Sequence, residues 1–191
     1  MKKMYKAMLL VLCAVLLVAA SVMGTLAYLK DSKAVTNTFT VGKVGITLDE
    51  AKTDVYGVTL TGSEAARVAG NEYKLIPGRT YKKDPKITVN ADSESCWVFA
   101  KLENGLGEAA TFNIDTANWT EIVTGVYAYK TVLSAKQSAT LFTEFTFSPT
   151  ADPAAYENAA IVITGYAVQA DGFTSAQAAW NASGFGTPVT P

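Results

Sequence analysis

The feature that most constrains the fold is a succession of short runs in which apolar and polar residues alternate between turn residues. The clearest run covers residues 96–103, CWVFAKLE. Every second residue from Cys96 to Leu102 is small or aliphatic, which predicts a core-facing side, because Lys101 and Glu103 on the opposite side need water. Runs of this kind predict an antiparallel β-sandwich, although periodicity alone does not separate a jelly roll from an immunoglobulin-like topology.

Two aromatic residues, Trp97 and Phe99, fall on the outer face of this predicted strand. The pattern leaves both of them at least partly exposed, and it allows two interpretations. The rings pack beneath another segment of the same chain, or they form a contact surface for another subunit.

Further runs predict more strands and one late helix. The near-continuous apolar run at 158–170 predicts a strand that is buried on both faces or central in its sheet. A short helix over 174–182 is expected to dock on the sheet edge, with Thr174 or Ser175 capping its start and Gly184 following its end. The other long predicted strands are at 37–49, where the face changes at Gly42, and at 138–147.

The first 27 residues have the order of a secretory signal peptide. Three lysines within the first six residues precede an apolar run at 7–23, and the small-residue segment 24–27 ends at Ala27. This order predicts export and cleavage between Ala27 and Tyr28. An uncleaved anchor is the alternative, because an apolar run of this length is at the short end of what spans a membrane.

The remaining composition excludes several classes of function. Removal of the predicted signal leaves 13 basic against 17 acidic residues, a net charge of −4, which argues against a nucleic-acid partner. The chain has no His, which excludes His-based triads and His-ligated zinc centres. Cys96 is the only cysteine after the predicted cleavage, so it has no intramolecular disulfide partner, and it is expected to be buried. We therefore predict no enzyme activity, no catalytic or metal-binding residues and no cofactor.

The chain resembles the TasA and camelysin family, secreted Gram-positive proteins that are exported through the signal peptidase SipW. The resemblance extends over the chain in short motifs, of which the signal region and the C-terminal block are the more specific. These motifs are Gly24-Thr25-Leu26-Ala27-Tyr28, Asn37-Thr38-Phe39 with Val41-Gly42, Pro77-Gly78, Ile87-Thr88-Val89-Asn90, the strand around Trp97, and residues 163–173 with Ala179-Trp180.

The resemblance implies a jelly-roll-like β-sandwich and, for TasA-like members, assembly into extracellular biofilm fibres. In such fibres the N-terminal segment freed by cleavage completes the sheet of the next subunit. The corresponding donor-strand residues here are Tyr28, Leu29, Val35 and Phe39. A flexible linker is the alternative interpretation of residues 28–38.

The resulting prediction is an all-β, jelly-roll-like antiparallel sandwich with a short C-terminal helix and an N-terminal signal helix. We expect a signal peptide at 1–27, an N-terminal extension at 28–38, the sandwich at 39–183 and a flexible tail at 184–191. The predicted function is that of a secreted fibre subunit at the cell surface or in the biofilm matrix. Its expected partners are the signal peptidase and other copies of itself, with membrane contact only through the uncleaved signal. A monomeric binding or adhesion module is the alternative.

Overall fold

The computed structural model describes residues 4–6, 8, 11–17 and 42–185. The chain divides into two compact units, Met1–Thr40 and Val41–Pro191. The described residues of the first unit are helical and exposed. Among all described residues, none of the helices combines the length and apolar character that crossing a membrane requires. The predicted cleavage site, the donor segment and the tail from residue 186 onwards lie outside the described residues.

Within 42–185 most of the regular elements of the second unit are β-strands. Three short 3-10 helices interrupt them at Gly62–Glu64, Gly107–Ala109 and Pro153–Tyr156, and one α-helix, the C-terminal helix, spans Ala176–Ser183. The strands are β1 (Ile46–Ala51), β2 (Arg67–Val68), β3 (Thr80–Lys82), β4 (Lys86–Val89), β5 (Cys96–Asn104), β6 (Ala110–Phe112), β7 (Trp119–Val123), β8 (Val126–Tyr129), β9 (Ser138–Thr140), β10 (Glu144–Phe147) and β11 (Ile161–Gln169).

All strand pairs between these elements are antiparallel. Two four-stranded sheets have the orders β2-β1-β4-β9 and β11-β5-β8-β7, and a three-stranded sheet has the order β3-β10-β6. The predicted all-β, sandwich-like fold with a short C-terminal helix is therefore confirmed.

The main core contains the inward faces of β4 and β5. Cys96, Val98 and Ala100 of β5 are fully buried and share a cluster with Ile87 and Val89 of β4. This confirms the core face predicted from the alternation in β5. Burial of one such aliphatic side chain contributes roughly 1.5–3 kcal/mol.

The C-terminal helix covers the other face of β5. The Ser175 side chain accepts a hydrogen bond from the backbone N–H of Ala178, and Gly184 ends the helix at φ 74°. Trp180 lies against Phe99, with ring centroids 5.1 Å apart. Both predicted cap residues are confirmed, but the helix contacts β5, β8 and β11 and so lies on the face of the sheet, not at its edge.

The predicted strand at 138–147 is wrong as a single element. The chain forms β9 in one sheet and β10 in another, and residues 141–143 make the crossing. Leu141 and Phe142 are adjacent and both buried, which a continuous strand with one solvent-facing side does not permit. Each side chain enters the core because the backbone changes direction between the two strands.

Candidate functional site

The candidate site begins at the outer edge of β11. This strand pairs with β5 along all nine of its residues, from Ile161↔Asn104 to Gln169↔Cys96. Among residues 42–185, no strand pairs with its other edge. Both faces are partly covered, because Ile163 and Ala167 pack against the main core and Tyr166 packs beneath the C-terminal helix. No residue of β11 is fully buried and Val162 is 46 % exposed, so the predicted strand is confirmed, but full burial of both faces and a central position in the described sheet are not.

β1 lies close to β11 on this side of the sandwich. An ideal Cβ on Gly165 would be 3.3 Å from Cδ1 of Ile46 on β1 and equally close to Cδ1 of Ile87 on β4, so the inner face of β11 packs against the side chains of both strands. Residues 48–50 of β1 and 161–163 of β11 line one cavity of about 230 Å³. The end of β1 therefore lies beside the start of β11, and the two strands border a common gap on one side of the sandwich.

β1 is better protected at its outer edge than β11. Its last two residues, Glu50 and Ala51, pair with β2. The Arg67 guanidinium of β2 forms an ion pair with the Asp49 carboxylate and also donates to the Asp49 carbonyl at 3.0 Å. No comparable side chain from the described residues donates to the outer edge of β11.

A buried ion pair forms the floor of this gap. Lys83 Nζ donates to Glu50 Oε2 at 2.5 Å, and the two residues are only 7 % and 4 % exposed. Asn71 Nδ2 donates to Glu50 Oε1 at 2.9 Å and to the Ala51 carbonyl at 2.8 Å. Burial raises the pKa of the nearby Tyr73, and the Glu50 charge adds to this shift. Because each charge compensates the other, loss of either one would leave an uncompensated charge in the interior.

A larger cavity of about 710 Å³ opens at the start of β11. Lys83 and Asn71 line both this cavity and the smaller one, so the ion pair lies where the two meet. The walls of the larger cavity are mainly apolar and aromatic, formed by Tyr73, Leu75, Leu106, Phe145, Tyr156 and Ile161.

The structure corrects the contact surface predicted at Trp97 and Phe99. Phe99 is fully buried, and the two aromatics belong to the cluster under the C-terminal helix with Ala179 and Trp180. The rings therefore pack beneath a segment of the same chain, which was the other interpretation of the pattern. Trp97 Nε1 is also buried, and no hydrogen-bond partner is present among the described residues.

The predicted donor residues Tyr28, Leu29, Val35 and Phe39, with the cleavage pair Ala27/Tyr28, lie outside the described residues. In the part of the chain that the structure describes, no three side chains of His, Cys, Asp or Glu come together as they would to hold a metal ion. Burial raises the pKa of the Cys96 thiol to about 11, so this cysteine is protonated at neutral pH. A protonated, fully buried thiol is a poor nucleophile.

Sequence reasoning missed Glu50, Asn71 and Lys83. Lys83 is one of several consecutive charged residues at 82–84, a pattern that is typical of a solvated loop. Nothing in the local sequence indicates that its side chain turns inward while its neighbour Lys82 stays exposed.

Comparisons with models of known protein families, with curated proteins and with solved structures find no match. The geometry of the open edge of β11 and its two cavities is therefore the basis for assigning a function.

Proposed function

We propose that this protein is a secreted structural subunit that assembles into extracellular fibres. In each contact, the N-terminal segment of one copy adds a strand to the sandwich of the next. The observation that carries this proposal is the outer edge of β11, which has no strand partner among the described residues. The TasA-like motifs of the sequence point to the same kind of assembly.

The composition of β11 supports the addition of a strand. Its sequence, IVITGYAVQ, contains no charged residue and no proline. Natural proteins protect exposed edges with charges, prolines, bulges or very short strands, because an open edge pairs readily with other chains. A nine-residue edge without these devices is suited to pair with an extended segment, which gains a ladder of backbone hydrogen bonds.

The N-terminal segment has the properties that a donor strand requires. Residues 28–38, YLKDSKAVTNT, are polar enough to stay soluble before they pair. In an extended strand, Leu29 and Val35 of this segment fall on the same face because they are separated by an even number of residues. That face would supply the apolar contacts, while the main chain supplies the hydrogen bonds.

Signal cleavage would act as the switch for assembly. Before cleavage between Ala27 and Tyr28 the segment continues into the apolar signal, and after cleavage its N-terminus is free to reach another subunit. The contact is head to tail and need not close on itself, so it generates a filament. The proposed location is the cell surface or biofilm matrix, and the proposal assigns no catalytic activity.

A monomeric binding module is the second candidate function, and the larger cavity favours it. A volume of about 710 Å³ is within the range of small-molecule sites. This function predicts a monomer whose behaviour does not depend on the N-terminal segment.

The two functions are distinguished by comparing a chain that begins at Tyr28 with one that begins at Phe39. The second chain retains the whole compact unit Val41–Pro191. Electron microscopy and sedimentation are expected to show filaments of the first chain and monomers of the second. Monomers of both chains would refute the fibre function, and filaments of both would refute the donor role of residues 28–38.

A further inference from the structure

The larger cavity lies at one end of the open β11 edge. Ile161, the first residue of β11, forms part of its wall. Leu75, Leu106, Phe145 and Tyr156 complete the apolar lining, and Lys83 and Asn71 join this cavity to the gap beside β1. A segment paired along this edge would therefore place the residue beside Ile161 at an apolar cavity that is larger than one side chain.

The charges that line this cavity are unevenly compensated. Lys83 is neutralised by Glu50 through their 2.5 Å contact. Glu72 and Glu157 also line the cavity and are exposed, and no cation of the described residues lies within ion-pair distance of either carboxylate. Lys74 is the remaining cation of the lining, so the two carboxylates of Glu72 and Glu157 face one positive charge. The cavity thus combines apolar walls with carboxylates that favour a positive group.

We propose that this cavity receives the new N-terminal residue of the incoming copy, with the Tyr28 ring against the apolar walls and its α-ammonium group facing Glu72 and Glu157. This inference rests on the proposed fibre function and adds which end of the donor segment is recognised. Tyr28 is the only aromatic residue of the segment 28–38. Aromatic side chains bury the largest apolar areas and are frequent anchors at interfaces.

The length of the segment fits this placement. With Tyr28 at the Ile161 end, the nine residues 29–37 lie along the nine residues of β11, and the chain continues from Thr38 into its own sandwich. The donor then runs parallel to β11 and antiparallel to β1, because the end of β1 lies beside the start of β11.

Recognition of an amino terminus makes the cavity a sensor of cleavage. Before cleavage the Tyr28 nitrogen is an uncharged amide bonded to Ala27, and the preceding chain would have to pass through the cavity. After cleavage the nitrogen is an α-amino group, with an ordinary pKa near 7.7–8.0. Its positive charge is present at neutral pH and complements the two carboxylates. The cavity therefore favours processed subunits and excludes those that keep the signal.

The test measures the critical concentration for filament assembly by sedimentation, using the chain that begins at Tyr28. We expect Tyr28→Ala to raise this concentration about tenfold or more, as truncation of an aromatic anchor does. Tyr28→Phe, which keeps the ring, is expected to stay within about threefold of the unmodified chain. Two further changes are expected to raise the critical concentration as much as Tyr28→Ala does. One retains Ala27 as an extra N-terminal residue, and the other acetylates the Tyr28 amine.

The double variant Glu72→Gln/Glu157→Gln tests the charged rim. It is expected to raise the critical concentration several-fold at low salt and less at high salt, because the interaction is screened. The matched control is Glu64→Gln/Glu108→Gln, which changes the net charge equally at two exposed residues outside the cavity lining. The control is expected to assemble like the unmodified chain.

The outcomes separate this inference from the proposed function. If Tyr28→Ala assembles at the unmodified concentration while the chain that begins at Phe39 stays monomeric, the cavity inference is overturned and strand donation stands. If the chain that begins at Tyr28 does not assemble, both fail. A rim variant that behaves like its control overturns the role of Glu72 and Glu157.

Discussion

The sheet β11-β5-β8-β7 ends in two strands that differ in length, charge and regularity. β7 is five residues long, carries Glu121, and its pairing with β8 shifts register between Glu121 and Val123. β11 is nine residues long, carries no charge, and keeps one register along its whole length. A short, charged and irregular edge resists pairing with other chains, whereas a long, neutral and regular one invites it. Of the two end strands, β11 is therefore the one suited to the strand addition that we propose.

The largest expected effect concerns the ion pair beneath the β11 edge. Lys83→Met leaves the Glu50 carboxylate, only 4 % exposed, without its cation, and is expected to lower the free energy of unfolding by about 3–5 kcal/mol. The double variant Glu50→Leu/Lys83→Met is expected to recover most of this loss. Urea unfolding monitored by tryptophan fluorescence measures each value.

A more exposed ion pair on β5 provides the control. Lys101→Met removes the partner of Glu103, but the two side chains are 41 % and 53 % exposed, so the expected cost is below about 1 kcal/mol. If Lys83→Met also lowers the free energy of unfolding by less than about 1 kcal/mol, the Glu50–Lys83 pair is solvated and not buried.

The next prediction compares the two edges directly. Val162 on β11 and Val123 on β7 are exposed to almost the same extent, 46 % and 49 %. Val162→Lys is expected to raise the critical concentration for assembly about tenfold, because a lysine on an edge opposes strand addition. Val123→Lys is expected to leave assembly unchanged. Equal effects of the two substitutions in the sedimentation assay would remove the functional distinction between the edges.

Val162→Lys should have little effect on the subunit itself. Its cross-strand neighbour on β5 is Glu103, so the new lysine gains an opposite charge across the pair. Urea midpoints of the two lysine variants should therefore agree, and a much lower midpoint for Val162→Lys would attribute its assembly defect to unfolding.

The smallest expected effect is a difference in alkaline stability. Burial raises the pKa of Tyr73, which lines the larger cavity with Ile161 of β11, and the Glu50 charge adds to this shift. Burial also raises the pKa of Tyr127, which pairs with β7, and there the Glu121 charge adds to the shift. A tyrosine in the unfolded chain ionises near pH 10. The stability that these groups contribute is fully present below that pH and is lost as pH rises toward their higher folded values.

Tyr73→Phe should therefore make the fall in stability above pH 10 shallower, and more so than Tyr127→Phe, because the Tyr73 shift is the larger. Urea unfolding between pH 8 and about 10.5 measures the slopes. The same slope in Tyr73→Phe as in the unmodified chain would contradict the assigned pKa shift.

Local sequence patterns predicted those parts of the fold that depend on local physics. The alternation in 96–103 predicted the core face of β5, because charged residues at one end fixed which face needs water, but it did not predict that Phe99 on the other face is fully buried. Ser175 and Gly184 marked the limits of the C-terminal helix, because a cap is a hydrogen bond between near neighbours in sequence.

Features that depend on sheet order were not predictable in this way. The position of β11 at an edge is set by where other strands pair, and nothing within its own sequence encodes it. The alternation through 138–147 concealed the crossing between sheets because Leu141 and Phe142 each fit one face of a strand. Lys83 entered the interior because Glu50, 33 residues away, is there to neutralise it.

The uninterrupted pairing of β11 with β5 has a mechanical consequence. A pull along the strand axis loads the hydrogen bonds of all nine residue pairs simultaneously, in shear, so no single bond has to fail first. A pull across the strands would instead open the same bonds one after another from an end. If tension in an assembled fibre follows the strand axis, each subunit bears it in its stronger direction.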